Sequence, residues 1–128
     1  MKKYIRAGRN EDDALARQYV QMIKDALIGY EDIESDVSGF PISIVDVIDV
    51  TYSIRIADRP PYTKYIVLSG YALTSDSYDE ADSFGKKQMN YFANDIRELL
   101  EDTIPNSACT KPTLYADAIK FNVTAIID

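Results

Sequence analysis

Histidine and tryptophan are missing from the 128 residues, and cysteine occurs once, as Cys109. Without histidine there is no Ser-His or Cys-His pair and no imidazole ligand for zinc, and one cysteine closes no internal disulfide. Cys109 lies in the connector Asn106-Ser-Ala-Cys109-Thr with no histidine to activate it, and reads as an ordinary reduced thiol in an unstructured stretch. The five glycines (Gly8, Gly29, Gly39, Gly70, Gly85) stand singly, so neither a phosphate loop nor a dinucleotide fingerprint is formed. No run approaches the roughly 18 apolar residues of a membrane span. The opening MKKYIRAGRNEDD has basic residues but no apolar stretch behind them, so the expectation is cytosolic synthesis without a secretory leader. Together these absences predict no enzyme: no catalytic residue, no cofactor, no metal site and no membrane partner.

What is present is a globular composition, 46% hydrophobic and 27% charged, at a length suited to one core. Charge is uneven. Lys2, Lys3, Arg6 and Arg9 fall in the first nine residues, leaving ten Lys and Arg against 21 Asp and Glu elsewhere, a net of −11. The chain divides into a basic N-terminal arm, 1–9, and a single domain, 10–128. An acidic body repels nucleic acid, so any contact with passing DNA is expected through the arm.

Asn10 is placed to cap a helix with Asp12 and Asp13 in its first turn, after which Leu15, Tyr19, Met22, Ile23, Ala26, Leu27 and Tyr30 recur at helical spacing. Gly29 is placed to end it, and the acidic segment 31–39 reads as a loop. From Ile42 the period becomes two, through Ile44, Ile48, Val50, Tyr52, Ile54 and Ile56, with Asp46 interrupting. Fifteen residues exceed a usual strand, so a break near 46–49, giving two strands, is expected, with one long ribbon as the alternative. Residues 57–63 (ADRPPYT) form a loop returning the chain antiparallel. Residues 64–74 are apolar on both parities, which suits a strand covered on both faces, with Gly70 marking a bulge. Ser77 and Glu80 form a capping box ahead of a second helix carrying Phe84, Met89, Phe92, Ile96, Leu99 and Leu100. Pro105 and Pro112 bracket a connector. Finally Ile119, Phe121, Val123, Ala125 and Ile127 alternate with polar residues as a last strand. The fold class is α+β, an antiparallel sheet of about four strands with two amphipathic helices, in the order α-β-β-β-α-β.

Two acidic groups invite a chemical reading. Asp76, Asp79, Glu80 and Asp82 lack the glycine register of a calcium loop and suit a helix N-terminus. Asp46 and Asp49 interrupt a hydrophobic strand, where an acid needs a partner, an edge or a bulge; a strand break or an interface follows, not an active site. Tyrosine is the excess, at ten residues. Because its ring buries apolar area while its hydroxyl stays wet, the type suits interfaces. The interface candidates are Arg59, Pro60, Pro61 and Tyr62 in the strand loop, Tyr65 and Tyr71 in the strand after it, Tyr78 and Tyr115.

The leading helix 13–28, the strand Tyr65-Ile-Val-Leu-Ser-Gly-Tyr71, the helix 86–100 ending Asn94-Asp-Ile-Arg-Glu-Leu-Leu100, and the final Phe121-Asn-Val-Thr-Ala-Ile-Ile-Asp128 resemble the tail-terminator or tail-completion proteins of long-tailed bacteriophages. The resemblance is topological. It implies a structural protein of the virion, made in the host cytoplasm, that assembles as a homo-oligomeric ring through strand edges and loops, contacts other virion proteins, and encloses a lumen for DNA. The rival from another class is an acidic phage inhibitor that mimics nucleic acid and blocks a host defence complex. A small enzyme using Asp or Glu as acid and base is a third reading.

Overall fold

The computed structural model describes residues 2–32, 42–75, 83–115 and 117–127, with backbone only at 2–10, 32, 42, 83–86 and 88. The first helix, α1, spans Lys2–Leu27. Residues 2–9 are therefore its opening turns, not an arm ahead of a cap at Asn10. Nothing there stops a helix: there is no proline, Gly8 costs about 1 kcal/mol against alanine, and lengthening an existing helix is cheap. Asp12 and Asp13 consequently lie mid-helix and reach across to the sheet. Lys64 Nζ donates to Asp12 Oδ2 at 3.0 Å, and the Tyr52 hydroxyl donates to Asp13 Oδ1 at 3.1 Å.

Gly29 ends the helix as expected, at φ 85°. Its amide donates to Ile44 O at 3.0 Å, and the Ile44 amide donates to Tyr30 O at 2.8 Å. The helix end is thereby tied to the sheet, and the next two residues, β1 (Glu31–Asp32), pair with Ser43 and Ile42. The expected loop thus begins with strand; its remainder lies outside the described residues.

The strand β2 (Ile42–Ile56) is continuous, not two strands. It runs antiparallel to β3 (Lys64–Thr74), with register shifts between Ile44 and Asp46 and between Ile48 and Thr51. Each shift inserts a residue and turns the following side chains over, so an acid leaves the core side while the ladder continues. Ile44 and Val47 are buried, whereas Ile48, assigned to the core by simple alternation, is 38% exposed. Asp46 Oδ1 accepts the Val47 amide at 2.8 Å, and Asp49 sits at φ 54°, a left-handed conformation that aspartate tolerates better than most side chains. Gly70 faces the second bulge: a Cβ there would lie 2.9 Å from Phe121 Cζ and from Val50 Cγ2. The bulge belongs to β2, and Gly70 admits its close approach.

The second helix, α2 (Ser83–Thr103), follows; the capping box at Ser77 and Glu80, and the cluster Asp76, Asp79, Glu80 and Asp82, lie outside the described residues. Met89, Phe92, Ile96 and Leu100 are buried as their spacing predicts. After Pro105 come β4 (Ser107–Cys109), β5 (Thr113–Leu114) and β6 (Ala118–Ile126), so the connector carries two short strands, both paired to β6. Sheet order is β1-β2-β3-β6-β4, with β5 also on β6. The fold is α+β, with three long strands at its centre.

Both helices pack on one face of this sheet. Ala16, Tyr19, Ile23 and Leu27 of α1 join the buried α2 residues over Ile66, Leu68, Ala72, Ile119, Phe121 and Val123. Tyr30 and Phe92 bring the helices together at 5.7 Å between ring centroids. The opposite face carries no second layer among the described residues, which cover β3 on one face and not the expected two. Its outward residues Tyr65, Val67, Tyr71 and Leu73 are half-buried because β3 is central and its neighbours shade it.

Candidate interaction surface

The interface candidates separate into two groups. Arg59, Pro60, Pro61 and Tyr62 form the tip between β2 and β3 and are all exposed, Tyr62 by 57%. The tip is internally bonded: the Tyr62 amide donates to Arg59 O at 2.8 Å, and the Ala57 amide to Thr63 O at 2.9 Å. Tyr62 is held at φ 55°. Tyr65, three residues beyond Tyr62, and Tyr71 lie on the open face, and Tyr115 joins Tyr71 at 6.1 Å between ring centroids. Lys120 Nζ sits 5.8 Å from the Tyr71 ring centroid, so a cation and two rings make one cluster. Lys120 was missed because only the β3–β6 register brings it opposite Tyr71. Tyr78 lies outside the described residues.

The open face is poor in charge. Pairing across β2, β3 and β6 gives the rows Arg55–Tyr65–Ile126, Ser53–Val67–Thr124, Thr51–Ser69–Asn122 and Ile48–Tyr71–Lys120, with Asp46 opposite Leu73 at the far end. Interface cores are depleted of charge and enriched in aromatics, and this face has that character. Ile126 is 49% exposed and Val45 58%. Alternation along β3 and β6 was the available signal for the face; the bulges hid the contribution of β2.

The sheet also has an unequal pair of edges. One is broken into the short β4 and β5, whereas β2 pairs with β1 only at Ile42 and Ser43. Beyond Ile44, β2 has no neighbour on its outer side among the described residues, and Asp46 and Asp49 at the bulges interrupt that edge as charges and kinks do elsewhere.

Cys109 is buried in β4 beside β6, not in an unstructured connector; its amide donates to Glu101 Oε2 at 3.1 Å and its thiol to Thr110 O at 3.3 Å. Burial pushes the thiol above its usual range, so the thiolate a nucleophile requires is disfavoured. Among the described residues, no three His, Cys, Asp or Glu side chains converge for a metal, and no described helix is long and apolar enough to cross a membrane. Lys2, Arg6 and Arg9, at i, i+4 and i+7, lie along one line of α1. In comparisons with protein-family models, curated proteins and solved structures, none matches the chain.

Proposed function

We propose that this chain is a non-catalytic structural protein of a bacteriophage particle, of the tail-terminator or head–tail connector type, that assembles with copies of itself into a ring. The observation that carries the assembly part is the one-sided sheet: two helices bury one face, and no described element packs on the other face, along the β2 edge beyond Ile44 or on the Arg59–Tyr62 tip. A face that mixes Tyr65, Val67, Tyr71, Leu73, Ile48 and Ile126 with small polar residues, its few charges set toward the ends, suits protein contact. The virion assignment rests on the order of helices and strands that resembles the tail-terminator proteins. In this reading the basic start of α1 meets an acidic neighbour or passing phosphate.

Native mass measurement and negative-stain imaging of the purified chain, alone and with virion tail-tube and connector proteins, test the proposal. Rings are the expected result, weakened by Tyr62→Ala and by deletion of residues 59–62. Replacing Lys2, Lys3, Arg6 and Arg9 by glutamine should reduce assembly or DNA association in a salt-sensitive way. A chain that stays monomeric with those proteins present, and captures a nucleic-acid-binding complex instead, makes the acidic inhibitor the better account.

A further inference from the structure

The open face is self-complementary, and the geometry points to a second copy of this chain as its occupant, packed sheet to sheet about a two-fold axis. The inference rests on the assembly reading above and adds to it a closed two-fold contact, distinct from the head-to-tail contacts that build a ring.

The argument begins with the charges at the ends of the face. Asp46 and Arg55 both belong to β2, are both exposed and both project outward, Asp46 opposite Leu73 and Arg55 opposite Tyr65. The eight steps from Tyr65 to Leu73 separate them by roughly 26 Å. Neither has an ion-pair partner among the described residues. A two-fold axis in the plane of the interface, perpendicular to the strands and crossing the Thr51–Ser69–Asn122 row, reverses strand direction while keeping β2 over β2 and β3 over β3. Asp46 of one copy then meets Arg55 of the other, twice per dimer.

The remaining rows agree with the same axis. Tyr65 falls opposite Leu73, and Val67 opposite Tyr71, so larger rings face aliphatic side chains. The central row is small and polar, with Thr51 Oγ1 and Ser69 Oγ 3.3 Å apart, and lets two sheets approach to the usual spacing of about 10 Å. Lys120 falls opposite Thr124, so no like charges are brought together. A shift of the axis by one row destroys the Asp46–Arg55 match, which makes the register specific.

Charge exchange tests this. Sedimentation equilibrium and native mass measurement are made on wild type, Asp46→Arg, Arg55→Asp and the double variant. Each single change places like charges together at both ends and should weaken dimerisation at least tenfold; the double change restores the pairing and should return it to within about threefold of wild type. Ser69→Cys, on the axis, should be joined to its own copy by a short bismaleimide. Unchanged association in the single variants, a double variant weaker than either, or no cross-link at Ser69→Cys in an associated protein overturns the face pairing. In those cases continued oligomerisation leaves the assembly reading standing, whereas a wild type that never associates, alone or with virion proteins, removes both.

Discussion

β2 and β6 flank the same central strand and are both rich in isoleucine and valine, yet they use those residues differently. β6 keeps one parity throughout: Ile119, Phe121, Val123 and Ala125 are fully buried, with Lys120, Asn122 and Thr124 between them. β2 changes parity twice, and both changes carry an aspartate, Asp46 beside the first shift and Asp49 within the second. The difference teaches that an acid within a hydrophobic strand marks where the ladder steps aside. The step also shapes the open face, because it turns Ile48 out toward Tyr71 and places Asp46 at the corner of that face.

The largest effects should separate the two faces themselves. Phe121→Ala empties the centre of the core beneath Gly70 and should cost about 3–5 kcal/mol, whereas Ile48→Ala on the open face should cost under about 1 kcal/mol in the dissociated chain. Urea unfolding at low protein concentration measures both. Comparable losses would show that the open face is a second core and not a docking surface.

Next in size is Gly70→Ala. The added methyl meets Phe121 Cζ, Val50 Cγ2 and, at 3.1 Å, Val50 Cα, so relief requires the bulge backbone itself to move. A loss of about 1–3 kcal/mol is expected, with only partial rescue by Val50→Ala, which removes the side-chain contact and leaves the backbone one. Full rescue would mean that β2 approaches β3 through its side chains alone.

Which of these features could be seen in the amino-acid order follows from how local their causes are. The alternation of β6 from Ile119 to Ala125 and the buried Met89, Phe92, Ile96 and Leu100 of α2 depend on period alone and stand as expected, whereas Leu99 and Ile127 are only half-buried; the bounds of β3 stand as well, set by the proline loop before it. The Gly29 helix end is likewise local. The start of α1 misled because Asn10-Glu-Asp-Asp13 looks like a cap and first turn, while those aspartates serve Tyr52 and Lys64, 39 and 52 residues away. The bulges were half legible: Asp46 and Asp49 announced an irregularity, but period cannot distinguish a break from a step. Tyr62, Tyr65, Tyr71 and Tyr115 were legible as amphipathic side chains, whereas Asp46, Arg55 and Lys120 enter the surface only through register.

Asp46→Ala probes the first bulge without disturbing core packing. It removes the acceptor of the Val47 amide, a part-buried bond of 2.8 Å, and should cost about 1 kcal/mol, while Asp46→Asn keeps an acceptor and should cost less. Equal losses would locate the effect in charge, not in the hydrogen bond.

The smallest effect should be that of Asp49→Gly at the second bulge. Asp49 holds φ 54°, where an L side chain pays about 1–2 kcal/mol of steric strain, somewhat less for aspartate. Glycine removes that strain, but its unfolded chain is freer by about 0.5–1 kcal/mol, so the two contributions of Asp49→Gly nearly cancel. Stability should move by less than about 0.5 kcal/mol. Asp49→Val gains no such freedom and adds a branched Cβ to the left-handed conformation, so it should lose about 1–2 kcal/mol. If valine were tolerated as well as glycine, the ladder would have run straight through residue 49, and β2 would be a regular strand like β6.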